Sequence, residues 1–131
     1  EAYGLIYHNS KYHLFFQKNP NGPYLNFMHW GHLSSPDLVN WTEEKIVLAP
    51  EDVPAGFDNH GVWSGTTIKD ANGIPRIFYT GVNGANAGIG YATPDDPDLI
   101  NWTNEKLIKE EIHPLIIVAL FIYEFFMWIF V

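Results

Sequence analysis

The sequence has 131 residues, of which 47% are apolar and 16% aromatic, which is enough for one modest domain. Its 7 basic and 15 acidic residues give a net charge of -8, which argues against a nucleic-acid partner, because nucleic-acid binding requires Lys and Arg to neutralise phosphates. The lack of cysteine excludes disulfides, thiol catalysis and zinc-thiolate sites, and cytoplasmic, periplasmic and extracellular locations all stay compatible. The chain starts at Glu1 without a Met or a signal-like segment, which predicts a processed or cut-out piece of a longer protein.

The first predicted element is a β-hairpin that forms the wall of a polar pocket. Residues 12–17 are an aromatic-rich strand, residues 18–24 are a turn cluster, and residues 28–32 begin a second strand. Gln17 ends the apolar run 14–16, and its carboxamide has the donors and acceptors that sugar hydroxyls need. Trp30 adds a flat apolar face. Two alternatives stay open: a Gln17 side chain bonded to backbone, and a Trp30 side chain in the core.

The chain contains an internal repeat. Residues 36–45 recur as residues 97–106, a displacement of 61, and residues 6–16 pair with residues 68–79 at nearly the same displacement. Each unit is predicted to contain a strand, a polar turn, a second strand, a longer loop, a third strand, a Pro-Asp turn and a fourth strand after the tryptophan. Four short antiparallel strands per repeat are typical of a β-propeller blade, so the predicted fold class is all-β.

The repeat also predicts the domain organisation. Propellers close with about four to eight blades. At a period of 61, this chain has room for two blades, at about 1–65 and 66–109, and the start of a third. The sequence is therefore predicted to be a fragment of a propeller.

A hydrophobic tail at residues 110–131 follows the repeats. Residues 115–131 are all apolar or aromatic except Glu124. Three explanations stay open: a membrane anchor, although a spanning helix needs about 20 residues; a strand that is buried in a complete propeller; and out-of-frame sequence appended to a truncated gene. Membrane contact is predicted only through the tail.

The loop at residues 48–61 combines proline, glycine and carboxylates and is predicted to lie on the surface, where loops often carry function. Trp63 and Ser64 follow at the start of the second unit. Core packing of the indole and a backbone-bonded hydroxyl are the alternatives to a binding role for this pair. No metal is predicted, because His29 and His32 are three residues apart on a predicted strand and therefore point to opposite faces. No cofactor is predicted either.

Several ordered segments carry a resemblance to a known family: residues 4–17, 19–24, 29–32, 37–41 and 63–65. Over residues 1 to about 109 the chain resembles the amino-terminal part of glycoside hydrolase family 32, the invertases, inulinases, levanases and sucrose-6-phosphate hydrolases. The resemblance implies a five-bladed β-propeller with its site at the mouth of the central funnel. It also implies retaining hydrolysis of terminal β-D-fructofuranosides in a fructose-containing oligo- or polysaccharide, which requires two carboxyl groups about 5 Å apart.

The resemblance also implies roles for individual residues. The nucleophile in the family's Asn-Asp-Pro-Asn-Gly motif falls on Glu1. Its extra methylene moves the attacking oxygen by about 1.5 Å, and a displacement of about 1 Å can lower the rate about a hundredfold. Gln17 matches the family's sugar-contacting glutamine, and Trp63 and Ser64 match a substrate-lining pair.

Trp30 matches a motif tryptophan near the pocket, and Asp58 lies before the second blade, where its carboxylate reaches the mouth or stays solvated. Leu25 stands where the family has a tryptophan, so one aromatic wall is missing. The family's Arg-Asp-Pro motif falls at residues 125–129, which read Phe-Phe-Met-Trp-Ile, and its acid/base glutamate falls beyond Val131. We therefore expect an incomplete and inactive β-fructofuranosidase fragment. A non-catalytic carbohydrate-binding relative and a membrane-tethered remnant without activity are the alternatives.

Overall fold

The computed structural model describes residues 2–52, 56–84 and 86–110, and for residues 104–110 the backbone alone. In this part the protein forms eight β-strands and no helix, arranged as two four-stranded antiparallel sheets. Sheet 1 contains, in spatial order, β1 (Ala2–His8), β2 (Lys11–Lys18), β3 (His29–Ser35) and β4 (Thr42–Glu43); sheet 2 contains β5 (Gly61–Lys69), β6 (Pro75–Asn83), β7 (Asn86–Pro94) and β8 (Trp102–Glu110). The predictions of an all-β chain and of four antiparallel strands per repeat are confirmed.

Glu1 and residues 111–131 lie outside the described residues. The nucleophile position, the explanations of the hydrophobic tail at 115–131 and the assignment of residues 125–129 therefore stay predictions. In the portion of the chain that is described, no helix has the length and apolar character to cross a membrane.

Local sequence explains how the first two strands of each sheet are joined. In sheet 1 the turn consists of Asn9 and Ser10, whose φ angles are both positive, at 47° and 64°. A two-residue turn with this backbone handedness matches the twist of the strands that it connects. In sheet 2 residues 70–74 form a longer turn, in which the Asp70 carboxylate accepts hydrogen bonds from two backbone N–H groups. Both turns lie where the sequence predicts a polar turn, between the first two strands of each unit.

The sequence repeat is also present as a repeated local structure. Leu38 and Leu99 have φ angles of 64° and 59°. Their carbonyl oxygens accept hydrogen bonds from the indole N–H groups of Trp41 and Trp102, at 3.1 and 2.8 Å respectively. The two tryptophans therefore occupy equivalent places in the two repeats, as the recurrence of residues 36–45 as 97–106 predicts.

The hydrophobic core lies between the two sheets. Phe15, Trp30, Val62, Ile77 and Leu99 are among its members with no exposed surface. The Trp102 ring packs edge-on against the Phe15 ring, with centroids 5.7 Å apart and an interplanar angle of 86°. Sheet 2 therefore packs on sheet 1 through Trp102, the first residue of β8, which follows the connection that carries the buried Leu99.

Backbone pairing brings four strand ends to one end of the two sheets. The start of β1 pairs with the end of β2, and the end of β2 pairs with the start of β3. Met28 precedes β3 and forms a parallel bridge with Gly61 at the start of β5, where the Val62 N–H donates to the Met28 carbonyl at 2.9 Å. Of the predicted site residues, Gln17, Trp30, Trp63 and Ser64 lie at this shared end.

Candidate functional site

Irregularities in two strands shape the site. The pairing of β1 with β2 shifts register between Ala2 and Gly4, which makes Tyr3 the additional residue. The pairing of β5 with β6 shifts register between Val62 and Gly65, at the predicted pair Trp63 and Ser64. Bulges change the direction of side chains and are common beside active sites. Both bulges lie near the start of the first strand of a sheet.

Gln17 is held by a tyrosine side chain. The Tyr3 hydroxyl donates a hydrogen bond to Gln17 Oε1 at 2.5 Å, and the Tyr3 ring lies 4.5 Å from the Trp30 ring. Tyr3 is buried, whereas Gln17 is half-buried. The carboxamide thus turns its acceptor oxygen toward the protein and its donor nitrogen away from Tyr3. Gln17 Oε1 is therefore bonded to a side chain and not to backbone, unlike the alternative considered for this carboxamide.

Trp30 is a core residue. Its side chain has no exposed surface, since Tyr3 packs on it and its Nε1–H donates to the Trp63 carbonyl at 2.9 Å. The expectation that Trp30 offers a face to a sugar is therefore wrong, and the alternative of core packing is correct. Trp30 is the cross-strand partner of Gln17, and its hydrogen bond to Trp63 therefore links β3 to the bulge in β5.

Trp63 and Ser64 are half-buried at the start of β5. The indole of Trp63 lies against Gly61 and leaves no room for a methyl group there, since a Cβ on Gly61 would be 2.6 Å from Trp63 Nε1. Gly61 also has a φ of 153°, a backbone conformation that residues other than glycine rarely adopt. The orientation of Trp63 therefore depends on glycine at this position.

Asp58 is enclosed by protein. It has no exposed surface, and its carboxylate accepts hydrogen bonds from the Tyr79 hydroxyl at 2.8 Å and from the Glu51 N–H at 3.0 Å. Burial raises the pKa of Asp58, and the two hydrogen bonds oppose this increase. Burial and the Asp58 carboxylate also raise the pKa of Tyr79, so the hydroxyl remains a donor. The solvated alternative for Asp58 is wrong, and the carboxylate fastens the loop at 48–61 to β6 instead of lining the mouth.

The described residues suit binding of a polyhydroxylated ligand. Gln17 and Ser64 have hydrogen-bonding groups, and Trp63 has an aromatic face. Asp58 cannot reach a bound ligand, since its carboxylate is covered. In the part of the chain that the structure describes, no group of three or more His, Cys, Asp or Glu side chains could hold a metal ion.

Comparison with known proteins assigns the chain to a family. The model of the Glycosyl hydrolases family 32 N-terminal domain matches residues 1–115. The chain belongs to glycosyl hydrolases family 32. The resemblance inferred from the motifs is confirmed.

Three relatives illustrate the similarity. Raffinose invertase of Escherichia coli is 44% identical over 78 residues, which cover 60% of this chain and 16% of the relative. A variant of fructan 1-exohydrolase IIa from Cichorium intybus in complex with 1-kestose matches with a TM-score of 0.75 and 27% identity, over 86% of this chain and 22% of that one. Sucrose-6-phosphate hydrolase from Lactobacillus gasseri matches with a TM-score of 0.71 and 29% identity, over 86% and 23%. The chain spans less than a quarter of the length of each relative.

Tyr3 contacts the candidate site residue Gln17, and the sequence does not predict this contact. It occupies the position of the second Asn in the family's Asn-Asp-Pro-Asn-Gly motif, directly before Gly4. That replacement, an aromatic residue inside a polar motif, is the signal that could have identified it. The consequence for this family 32 chain is a hydrogen bond that occupies one end of the Gln17 carboxamide.

Leu25 is a second departure from the family 32 pattern. Its loop is closed by Asn19, whose amide donates to the carbonyls of Tyr24 and Asn26 at 2.8 and 2.7 Å. The Leu25 side chain is 78% exposed on this loop. The position of the family's tryptophan thus presents a small flexible apolar side chain to solvent in this chain.

Proposed function

We propose that the chain contributes the first two blades, at about 1–65 and 66–109, of a five-bladed β-propeller that hydrolyses terminal β-D-fructofuranosides of sucrose or fructans with retention. The residues of this chain supply at most one of the two carboxyl groups that this reaction needs. Three kinds of evidence support this proposal: the family, the two equivalent four-stranded sheets, and the activities named for the relatives, which include a raffinose invertase and a fructan exohydrolase.

One observation carries the binding part of the proposal. Gln17 and the bulge with Trp63 and Ser64 lie at the same end of the two sheets and are connected through Trp30. In this arrangement the Gln17 amide donates to a fructose hydroxyl, Ser64 exchanges a hydrogen bond with another, and the Trp63 indole covers an apolar face of the ring. The hydrogen bond from the Trp30 indole to the Trp63 carbonyl holds the Trp63 backbone in position.

The catalytic part rests on the resemblance. By the resemblance, Glu1 holds the nucleophile position, residues 125–129 do not read Arg-Asp-Pro, and the acid/base glutamate falls beyond Val131. Retaining hydrolysis needs both carboxyl groups, and acid/base assistance is worth about 10²–10⁴ in rate. The isolated chain is therefore expected to release no fructose from sucrose, inulin or levan. Turnover by purified chain that Glu1→Gln abolishes would show that a second carboxyl group of this chain acts as acid/base.

A non-catalytic carbohydrate-binding role is the second candidate. Two observations favour it: the Tyr3 hydroxyl already occupies Gln17 Oε1, and Leu25 replaces the family's tryptophan. In this role the same wall holds a fructose unit without cleaving its bond.

A chimera tests the two candidates. The matching segment of the Escherichia coli raffinose invertase is replaced by residues of this chain, and hydrolysis of sucrose is measured with Glu1 and with Glu1→Asp. If the chain comes from an enzyme, Glu1→Asp raises kcat about a hundredfold, because the shorter side chain restores the position of the attacking oxygen. Binding of fructose without turnover in both chimeras would support the carbohydrate-binding role.

The same chimera tests the assigned residues. Gln17→Ala and Ser64→Ala are each expected to lower kcat/KM about tenfold or more, since each removes a hydrogen bond to substrate. Ile46→Ser is the matched control, because Ile46 is exposed and lies outside the strand ends that form the site. Equal kcat/KM values for Gln17→Ala and the control would refute the assignment of Gln17.

A further inference from the structure

Tyr3 lies where three neighbouring strands bring their side chains together. It is the additional residue of the bulge in β1, and it contacts Gln17 on β2 and Trp30 on β3, which are themselves cross-strand partners. Tyr3 is 4% exposed, its ring lies 4.5 Å from the Trp30 ring, and its hydroxyl donates to Gln17 Oε1 at 2.5 Å. Tyr3 is therefore held by packing on one residue and by a hydrogen bond to another.

The bulge that places Tyr3 depends on the glycine that follows it. Gly4 has a φ of 139°, a backbone conformation that residues other than glycine rarely adopt. A Cβ on Gly4 would also lie 3.3 Å from the backbone nitrogen of Thr67 in β5, so the two strands approach closely at this point. The additional residue interrupts the regular alternation of side chains along β1 and redirects the tyrosine. The pair Tyr3 and Gly4 therefore supplies both the bulge and the side chain that the bulge orients.

The hydrogen bond gives the Gln17 carboxamide one orientation. A carboxamide has an acceptor oxygen and a donor nitrogen, and a rotation of the group exchanges their places. The Tyr3 hydroxyl donates to the oxygen, whereas within the described residues no hydrogen bond engages Gln17 Nε2. The oxygen is turned to a buried partner on a side chain that is itself only half-buried. What Gln17 offers to a ligand is therefore its amide N–H group.

The ring and the hydroxyl of Tyr3 have separate roles. The ring packs on Trp30, whose indole N–H donates to the Trp63 carbonyl at 2.9 Å. Loss of the whole ring would therefore disturb both sides of the site. Phenylalanine at position 3 keeps the ring and removes the hydroxyl, so Tyr3→Phe isolates the effect on Gln17.

We infer that Tyr3 is a specificity-determining positioning residue, which fixes Gln17 as a hydrogen-bond donor toward the ligand. At this place the site selects a ligand group that accepts a hydrogen bond, such as a hydroxyl oxygen, and disfavours a group that only donates. A hydroxyl that accepts from Gln17 keeps its own proton for a different acceptor, so its orientation is set as well. The inference rests on the proposed function for the identity of the ligand, a fructofuranoside.

Gln17 is the only glutamine in the sequence, and its carboxamide can therefore be observed directly. The full chain is labelled with 15N in the glutamine side chain, so that the two amide protons give one pair of NMR signals. The heteronuclear NOE of Nε2 reports how rigid the carboxamide is. It should be that of an ordered group in the unmodified chain and should fall in Tyr3→Phe, because the oxygen loses its partner. Tyr79→Phe is the matched control, since it removes a buried tyrosine hydroxyl that is bonded to Asp58 instead, and it should leave the NOE unchanged.

Sugar analogues test the selectivity in the same samples. Methyl β-D-fructofuranoside is compared with derivatives in which one hydroxyl at a time is replaced by fluorine, which only accepts, or by an ammonium group, which only donates. At the hydroxyl that contacts Gln17, the preference for fluorine over ammonium should be about tenfold greater in the unmodified chain than in Tyr3→Phe, because the released carboxamide can turn its oxygen to the ammonium group. The attraction of an acidic chain for any cation cancels in this comparison, because it acts on both proteins. A purely structural role of Tyr3 would weaken binding of all analogues alike and leave the ratio unchanged.

Three results would overturn the inference. They are an Nε2 NOE that Tyr3→Phe does not change, strong NOEs between the Gln17 amide protons and the Tyr3 ring protons, and equal fluorine-to-ammonium ratios in both proteins for every derivative. The second would show that the carboxamide is turned the other way. It is measured on the unmodified chain, so it decides the orientation even if circular dichroism shows that Tyr3→Phe is unfolded.

Failure of the proposed function gives a different result. In that case no fructofuranoside shifts the Gln17 signals of the unmodified chain, although Tyr3→Phe still lowers the Nε2 NOE. Tyr3 then positions Gln17 as inferred, whereas the binding part of the proposed function and the selectivity that rests on it are wrong. A fructofuranoside that shifts the signals, with a ratio that Tyr3→Phe does not change, would instead leave the proposed function intact and refute the role of Tyr3 in specificity.

Discussion

Acid is expected to destabilise the protein through a pair of buried histidines. His13 Nδ1 and His32 Nε2 lie 2.9 Å apart, both side chains have no exposed surface, and the His32 ring stacks on Phe15 with centroids 4.8 Å apart. One nitrogen of the pair donates and the other accepts, so the accepting ring must be neutral, and the contact is lost when both rings are protonated. The groups that act on the pair are His8, Lys11, Asp96 and Asp98.

The size of the effect follows from the pKa of His32. Burial, together with the neighbouring His13, lowers this pKa from 6.5 to about 4. Between these two values the unfolded chain binds more protons than the folded protein, and stability therefore falls as the pH falls from 6.5 to about 4. At about 1.4 kcal/mol for each unit of pKa, the shift corresponds to about 3 kcal/mol. Burial also lowers the pKa of His13, which acts in the same direction.

Urea unfolding at fixed protein concentration, at several pH values from 7 to 4, measures this dependence. His32→Gln keeps a side chain that can hydrogen-bond to His13 but removes the titrating ring, so its free energy of unfolding should vary much less over this range. His60→Gln, at an exposed position, is the matched control and should follow the unmodified protein. Asp37 titrates in a separate window, because hydrogen bonds from Asn40 lower its pKa to about 2. An unmodified protein whose stability is constant between pH 6.5 and 4, or a His32→Gln variant that loses as much stability as the control, would refute the reasoning.

Three further substitutions test individual contacts by urea unfolding. Tyr79→Phe removes the hydrogen bond to buried Asp58 and should lower the free energy of unfolding by about 1–3 kcal/mol. An unchanged urea midpoint would contradict this prediction. Gly61→Ala places a Cβ 2.6 Å from Trp63 Nε1, whereas Gly73→Ala, also at a positive φ, meets no atom within 4 Å. Gly61→Ala should therefore lower the free energy of unfolding more than Gly73→Ala. Equal decreases would show that Trp63 moves freely. Trp102→Phe should lower the free energy of unfolding more than Trp41→Phe, because of the two only Trp102 is shown to pack on Phe15, and the reverse order would contradict this packing.

The strands and the repeat could be predicted from the sequence because their causes are local. Turn residues such as Asn9 and Ser10, and the Pro-Asp segment before each tryptophan, determine where the chain reverses. Gln17 and the pair Trp63 and Ser64 were found through motif resemblance, and the structure places them at one end of the sheets. Their spacing along the chain did not predict that meeting, because it depends on the bridge between Met28 and Gly61.

The sequence alone determined an all-β chain with two equivalent units and a family, since strand periodicity, turn chemistry and motifs are written in neighbouring residues. Only the tertiary structure decided which candidates face a ligand. An aromatic or acidic residue suits both a core and a pocket wall, and what packs on it makes the difference. Trp30 is covered by Tyr3 and by the strand that carries Trp63, and Asp58 is covered where it meets Tyr79. These contacts join residues far apart in the sequence, so local patterns cannot predict them.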